Sequence, residues 1–220
     1  HTTLGESEPA DKAAFDEKYA SLEDKLFDME TGTVTVSPEE VRSLTELYEK
    51  LSEEVRALPE TTEKVALVDG SGYLSENLEI INKPMDELSV SDGEALNKAI
   101  GEYNSLSDEA KAVIGDRLTE LVDKKKTVAL TELAQLDGAS DPSDEIQQII
   151  SEYEDKIKDA VLINGTETDE LIDAAASAIL EQARSESLTS LEYTYSSIKN
   201  GESYPLYSDE IKNQIDEAYA

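Results

Sequence analysis

Two segments of this chain carry the same order of residue types, and the second begins 55 residues after the first. Each has an aromatic ring, an apolar residue, serine, two acids, a small apolar residue, a base, alanine and an apolar residue. The copies are Tyr48, Leu51, Ser52, Glu53, Glu54, Val55, Arg56, Ala57, Leu58 and Tyr103, Leu106, Ser107, Asp108, Glu109, Ala110, Lys111, Ala112, Val113. An internal repeat predicts a modular architecture rather than a fold built around one site.

The repeated phrase predicts a helix, a tight joint and a second helix. Apolar residues precede each joint at spacings of three and four, which is typical of a helix packed on a neighbour. They are Val41, Leu44, Leu47, Leu51 and then Leu96, Ala99, Ile100, Tyr103. Ser52 and Ser107 are suitable N-caps, because a serine oxygen accepts from the free N–H groups of a new helix. The acids that follow complement the positive end of the helix dipole.

This phrase resembles the helical modules repeated in extracellular and cell-wall proteins of Gram-positive bacteria, particularly Firmicutes. Such modules have a helix ending in Tyr-x-x-Leu, a short helix opening Ser/Thr-Asp/Glu-Glu-x-Lys, and a longer third helix. The better copy spans 90–136 and the weaker 36–69, roughly 80 of 220 residues. Pro59 stands where the second copy has Ile114, and it predicts an early end to the short helix. The resemblance implies a spacer or adhesive unit beside other domains.

The whole chain predicts an all-α protein of helical bundle modules in series, with an elongated shape. Residues 31–36 predict an extended linker, residues 69–72 a turn, and residues 137–142 a domain boundary dense in turn residues. Helical patterns cover residues near 9–30, 38–58, 61–68, 92–105, 108–135, 146–164, 167–200 and 208–219. The predicted domains are a helical module at 1–82, a second repeat copy at 83–137 and a C-terminal three-helix bundle at 138–220.

The charge of the chain excludes several classes of partner. Acids number 51 against 19 bases, a net charge of -32, and nucleic-acid binding needs a basic cluster that releases counterions. Anionic membrane surfaces repel such a chain, and no segment approaches the ~20 apolar residues of a membrane span. Lys124, Lys125 and Lys126 form the only run of bases, and they predict a solvated helix face. We therefore expect no nucleic acid and no membrane insertion.

The composition also argues against an enzyme. The one histidine is His1 and there is no cysteine, so the usual triad bases, thiol nucleophiles and zinc ligands are missing. Residues 69–74 resemble the middle of an EF-hand loop, but Leu67 and Leu78 stand where its terminal acids belong. We expect no enzyme activity, cofactor or metal. The chain begins at His1, which predicts a mature or trimmed fragment without its signal peptide.

The ten tyrosines have two interpretations. Five lie on apolar helical stripes, so we expect their rings in the core and their hydroxyl groups in contact with solvent: Tyr19, Tyr48, Tyr103, Tyr153 and Tyr195. Tyr193, Tyr204 and Tyr207 fit no stripe. Exposed tyrosines are favoured at binding surfaces, so these three are the candidate interaction patch.

Two functional hypotheses follow. The first is a non-enzymatic structural or adhesive segment of an extracellular or cell-surface protein, a monomeric helical spacer or interaction module whose partner is an unknown protein or glycan. The alternative is a compact helical ligand-binding domain for a host protein, glycan or peptide. An accessory module of an extracellular carbohydrate-active enzyme belongs with this alternative.

Overall fold

The computed structural model describes residues 4–136 and 142–219, and within these ranges the chain is all-α, as predicted. The predicted boundary residues 137–141, like His1, lie outside these ranges. Helices α1 to α10 are, in order, Leu4–Leu22, Pro38–Tyr48, Glu53–Arg56, Pro59–Asn82, Gly93–Ser105, Asp108–Ile114, Leu118–Gln135, Asp144–Asp159, Glu167–Asn200 and Asp209–Tyr219. Short 3₁₀ turns lie at Glu23–Lys25, Met85–Glu87, Val90–Asp92 and Tyr204–Leu206.

The chain forms two compact units, whereas the sequence predicts three modules. Unit 1 comprises residues 1–131 and 157–169, and unit 2 comprises residues 132–156 and 170–220. The expected boundary at residue 82 falls inside unit 1. It does so because α4, which begins in the first repeat copy, packs on α5 and α6 of the second.

Helix α4 differs most from its prediction. The short helix α3 ends early at Arg56, as predicted, and has 4 residues against the 7 of α6. Pro59 then occupies the first turn of α4, where a proline needs no N–H partner and its fixed φ suits a helix, so the proline also starts a long helix. The expected turn at residues 69–72 lies inside the 24-residue helix and is buried at Gly70, Ser71 and Gly72. A Cβ on Gly70 would lie 2.7 Å from Ile114 Cγ2. Gly70 therefore permits the close approach of α6.

Two apolar clusters form the core of unit 1. One joins α1, α2 and α4 around Phe15, Leu44 and Val68, and the other joins α4 to α5, α6 and α7 around Leu96, Ile100 and Leu121. Tyr73, which the sequence leaves unassigned, is 5% exposed in the second cluster, and its hydroxyl donates to the Ala99 carbonyl at 3.2 Å. Burial raises the pKa of this phenol.

Two predicted segments have different local structures. Residues 108–135 form two helices, because Gly115 adopts φ 73° after α6 and Asp116 then caps α7 by accepting from the Leu118 N–H at 3.0 Å. A positive φ of this kind favours glycine. The expected linker at 31–36 begins inside a tight turn at residues 29–32. The Asp28 N–H closes this turn by donating to the Thr33 carbonyl at 3.0 Å.

Unit 2 contains most of α8, most of α9 and all of α10. Helix α9 has 34 residues and ends at Asn200 before Gly201, as the sequence predicts. Helix α8 ends at Asp159 rather than near Asn164. Ser143 donates to Glu186 on α9 at 2.6 Å and holds the start of α8 beside α9.

Candidate functional site

The first copy of the repeated phrase forms a corner between α2 and α3. The Ser52 hydroxyl accepts from the Val55 N–H at 3.3 Å, which is the predicted N-cap. Arg56 Nε then donates back to the Tyr48 carbonyl at 3.2 Å, and Arg56 also donates to the Glu49 carbonyl. The guanidinium carbon lies 5.2 Å from the centre of the Tyr48 ring. Arg56 therefore adds a second donor to the Tyr48 carbonyl, which also accepts from the Leu51 N–H at 3.0 Å, and it donates to the Glu49 carbonyl just past the end of α2.

The second copy forms the same corner between α5 and α6. The Ser107 hydroxyl accepts from the Ala110 N–H at 3.1 Å. Lys111 Nζ donates to the Asn104 carbonyl at 3.0 Å and lies 5.8 Å from the centre of the Tyr103 ring. The serine, the base and the tyrosine thus have matching positions in the two copies.

The shared residues have structural partners in both corners. A serine caps the new helix, a base covers the carbonyls of the old one, and the tyrosine ring lies beside that base. Leu51 and Ala110 are buried at 3% and 0% exposure. Sequence reasoning identified the serine cap but missed the role of the base, which the spacing of seven or eight residues back to the carbonyl could have suggested.

A cavity of about 290 Å³ lies beside the first corner. Apolar side chains form much of its lining, and Glu49, Arg56 and Asp69 contribute its charged groups; the lining residues are Phe15, Leu44, Thr45, Tyr48, Glu49, Arg56, Val65, Val68 and Asp69. Burial raises the pKa of the Asp69 carboxyl. An apolar cavity with a few polar groups is the usual form of a small-ligand site, and the sequence did not indicate this one.

The lysine run is buried, which contradicts the predicted solvated face. Lys124 and Lys125 are each 2% exposed. Lys124 Nζ donates to the Ile80 and Ile81 carbonyls at 3.3 and 2.5 Å, and Lys126 Nζ donates to the Lys158 carbonyl at 2.5 Å. Lys124 also pairs with Glu120 on its own helix at 2.9 Å, and Lys125 pairs with Asp169 at 2.5 Å. Apart from Glu120 these partners are distant in sequence, so the local pattern could not reveal the burial.

Two of the three candidate patch tyrosines lie together. The rings of Tyr204 and Tyr207 are 6.1 Å apart and meet edge to face. Lys199 and Lys212 approach the Tyr204 ring, at 5.2 and 5.8 Å from its centre. Tyr207 is 37% exposed, so this pair offers one accessible ring and one ring covered by cations.

Tyr193 stands apart from that pair in its environment. It is 76% exposed on α9 and lies two residues before Tyr195, so the two point about 200° apart around the helix. Tyr195 faces α10, where its ring stacks on Tyr219 at 4.1 Å and its hydroxyl donates to Asp216 at 2.7 Å. Tyr193 therefore lies on the side of α9 away from α10.

The five tyrosines expected in the core differ in burial. Tyr103 is 7% exposed, whereas Tyr19, Tyr48, Tyr153 and Tyr195 are half-buried. Sequence reasoning also missed several exposed apolar residues of unit 2: Leu180, Leu188, Leu191, Ile198, Leu206 and Ile211. Their helical spacing resembles that of core residues, so only the structure distinguishes them.

The structure also bears on metals and membranes. Residues 69–74, which resemble part of an EF-hand loop, are helical. In the described part of the chain, no three His, Asp or Glu side chains are grouped so that they could hold a metal ion. Among those same residues, no helix is both long and apolar enough to cross a membrane.

This chain matches no protein-family model, no curated protein and no solved structure.

Proposed function

We propose that this chain is a non-enzymatic structural or adhesive segment of a bacterial extracellular or cell-surface protein, acting as a helical spacer or protein-interaction module. The observation that carries the proposal is the pair of matching corners. Ser52 and Ser107 cap, and Arg56 and Lys111 cover carbonyls. The residues that the chain repeats are thereby used to direct helices, which is what a modular scaffold requires.

The location and the bacterial source rest on the resemblance of the repeated phrase to Gram-positive surface modules. The net charge of -32 supports a chain that stays dispersed and avoids anionic surfaces. The same charge makes a nucleic-acid partner unfavourable, because such binding needs clustered bases that replace counterions. The burial of Lys124 and Lys125 removes the one basic run from consideration.

A second candidate is a helical ligand-binding domain, and the cavity beside the first corner favours it. Its apolar lining and the partly desolvated Asp69 carboxyl suit a small ligand with an apolar body and a hydrogen-bond donor. Phe15→Ala would enlarge the cavity, and Asp69→Asn would remove one of its two acids, the other being Glu49, so a ligand bound there would respond to both changes.

Small-angle X-ray scattering of the 220-residue chain tests the spacer proposal. We expect a monomer whose radius of gyration clearly exceeds the ~17 Å of a compact domain of this length. A compact particle would contradict a spacer and favour the binding domain.

A pull-down tests the adhesive part of the proposal. The immobilised chain is exposed to extracellular matrix, mucin and serum, beside a helical control protein of equal charge. An adhesin retains a specific ligand, and the patch is its site if retention is lost in a variant with Tyr204→Ser and Tyr207→Ser. Tyr193→Ser is made separately, because the structure places Tyr193 away from α10. If the chain retains nothing beyond what the control retains, adhesion to extracellular matrix, mucin or serum is contradicted. The scattering result then decides the spacer role alone.

A further inference from the structure

Unit 2 exposes more large apolar side chains than it buries. Its buried apolar residues, within the described ranges, are Leu133, Ile146, Ile172 and Ala175. Its exposed ones are Leu180, Leu188, Leu191, Tyr193, Ile198, Leu206, Tyr207, Ile211 and Tyr219. Scattered exposed apolar residues are ordinary, but a contiguous set marks an interaction surface.

Four of these exposed residues form a single stripe on α9. Leu180, Leu188, Leu191 and Ile198 fall within an arc of about 80° when each residue turns the helix by about 100°, and they define the α9 stripe. They are 61%, 63%, 58% and 39% exposed. With Tyr195, the last three follow spacings of three, four and three residues, which is the seam of a helix that pairs with another helix.

Helix α10 covers only part of this seam. Tyr219 stacks on Tyr195 at 4.1 Å, and Asp216 accepts from Tyr195 and from Lys199 at 2.7 and 2.8 Å. These contacts fix α10 at Tyr195, whereas the leucines at 188 and 191 stay more than half exposed. Within the described residues, the seam is therefore covered at Tyr195 and uncovered at Leu188 and Leu191.

Charge selects the occupant of the α9 stripe. Residues 180–219 contain eight acids and three bases: Glu181, Glu186, Glu192, Glu202, Asp209, Glu210, Asp216, Glu217 and Arg184, Lys199, Lys212. Two of these bases are already engaged, since Lys199 pairs with Asp216 and Lys212 lies over the Tyr204 ring. The third, Arg184, falls within the same arc of α9 as the stripe, so the acids still outnumber the bases. A second copy would bring the same excess of acid, whereas a basic helix would be attracted.

We propose that the α9 stripe is the docking site for a basic amphipathic helix of a partner protein. The partner's apolar face covers Leu188, Leu191 and Ile198, and its Lys and Arg side chains meet the acids of α9 and α10. This is the helix-in-groove mode of recognition, with anchors at helical spacing. The inference deepens the interaction role in the proposed function and rests on it, because it assigns that role to one surface and one class of partner.

The test uses the whole chain and a labelled synthetic helix of about 21 residues, with Leu at the a and d positions of three heptads and Lys or Arg elsewhere. A peptide of identical composition in shuffled order is the control for charge alone. Binding is measured by fluorescence anisotropy. The chain variant carries Leu188→Ser and Leu191→Ser, which change no charge. Tyr193→Ser is the matched control variant on the side of α9 away from α10.

We expect the double variant to bind the amphipathic peptide at least about tenfold more weakly, as for removal of central anchors. Tyr193→Ser should bind like the unmodified chain, and added salt should weaken binding because the attraction is partly electrostatic. Both variants expose little new apolar surface, and their helix content by circular dichroism should be unchanged.

Three outcomes would overturn the proposal. The shuffled peptide could bind as tightly, which would reduce the interaction to charge. The double variant could bind as tightly, which would move the site elsewhere. Sedimentation could reveal a dimer that the double variant abolishes, which would make a second copy the occupant. The first two results leave the scattering test unchanged, and a dimer is recognised in that test by its mass, so failure here is distinguishable from failure of the spacer role.

Discussion

Lys125 Nζ lies 2.5 Å from Asp169 Oδ1, although the lysine side chain is only 2% exposed. Asn97 Nδ2 donates to the other carboxylate oxygen at 2.6 Å, so Asp169 holds two donors from two helices, α5 and α7. The carboxylate is 42% exposed and keeps contact with water. The pair therefore connects a desolvated ammonium to a partly solvated acid.

Removal of the acid should cost more than removal of the base. Asp169→Asn leaves a buried ammonium without its counter-charge, and we expect a loss of about 2–3 kcal/mol in the free energy of unfolding. Lys125→Met removes the charge and keeps much of the packing, so its cost should be smaller. Urea denaturation measures both, with Asp173→Asn as an exposed control on α9. A greater loss in Lys125→Met would mean that the ammonium is not the group in need of compensation.

The two corners should lose similar stability when their caps are removed. Ser52→Ala and Ser107→Ala each delete one acceptor for a helix N–H, and we expect about 1 kcal/mol for each. Their effects should add, because the corners share no partner. Ser177→Ala is the control, since that hydroxyl bonds its own helix at the Asp173 carbonyl. Thermal unfolding compares the three; a cap variant as stable as Ser177→Ala would exclude that serine as a functional cap.

Gly70 should resist replacement despite its position inside a helix. Alanine is intrinsically better than glycine there by about 1 kcal/mol, but its Cβ would meet Ile114 Cγ2 at 2.7 Å and the Ala110 carbonyl at 3.3 Å. We expect a net loss of stability of about 1–2 kcal/mol from this crowding. Gly101→Ala is the control, because its Cβ would find its nearest atom at 3.8 Å. The Gly101 variant should gain stability, and a similar gain at Gly70 would mean that α6 moves away at little cost.

Glu40 should show an acid-dependent contribution to stability. Its carboxylate accepts from Lys25 Nζ at 2.5 Å and from the Ser37 N–H at 2.9 Å, and these bonds lower its pKa from 4.5 to about 2. The folded state therefore favours the ionised form, so the contribution is complete above the unfolded pKa near 4.5 and is lost as the pH falls toward 2.

Glu40→Gln isolates this contribution from the rest of the acidic surface. The variant should be less stable than the unmodified chain at neutral pH, and the difference should shrink as the pH falls from 4.5 to about 2. Chemical denaturation of both proteins across that range measures it. Glu39→Gln, on the neighbouring residue of α2, serves as the control. A difference that stays constant with pH would exclude ionisation of Glu40 as its source.

The sequence predicted the features that depend on neighbours in the chain. Apolar spacing located α2, α5 and α9, and the serine after each tyrosine located the caps at Ser52 and Ser107. It failed at α4, because Asp69, Gly70, Ser71 and Gly72 are typical of a turn when considered alone. In the structure these small residues let α2 and α6 approach α4 closely. That packing depends on segments distant in sequence, so the local residue pattern could not predict it.

The same limit explains the errors at the lysine run and the tyrosines. Lys124 and Lys125 meet groups more than 40 positions away, so their burial has no local signature. Tyr193 and Tyr195 differ by two positions and face opposite sides of α9, and only the position of α10 decides which is covered. The apolar spacing of the α9 stripe likewise marks a face for packing, but periodicity does not tell what packs on it or whether it stays exposed.

Each corner is made by bonds that span few residues. The serine cap closes over three positions and the base reaches back over seven or eight, so neither requires any distant part of the chain to be in place. Contacts of such short range close quickly, since little loop entropy is lost. The directions of α3 and α6 can thus be set while the chain is still being synthesised, before the long helices that follow them have found their neighbours.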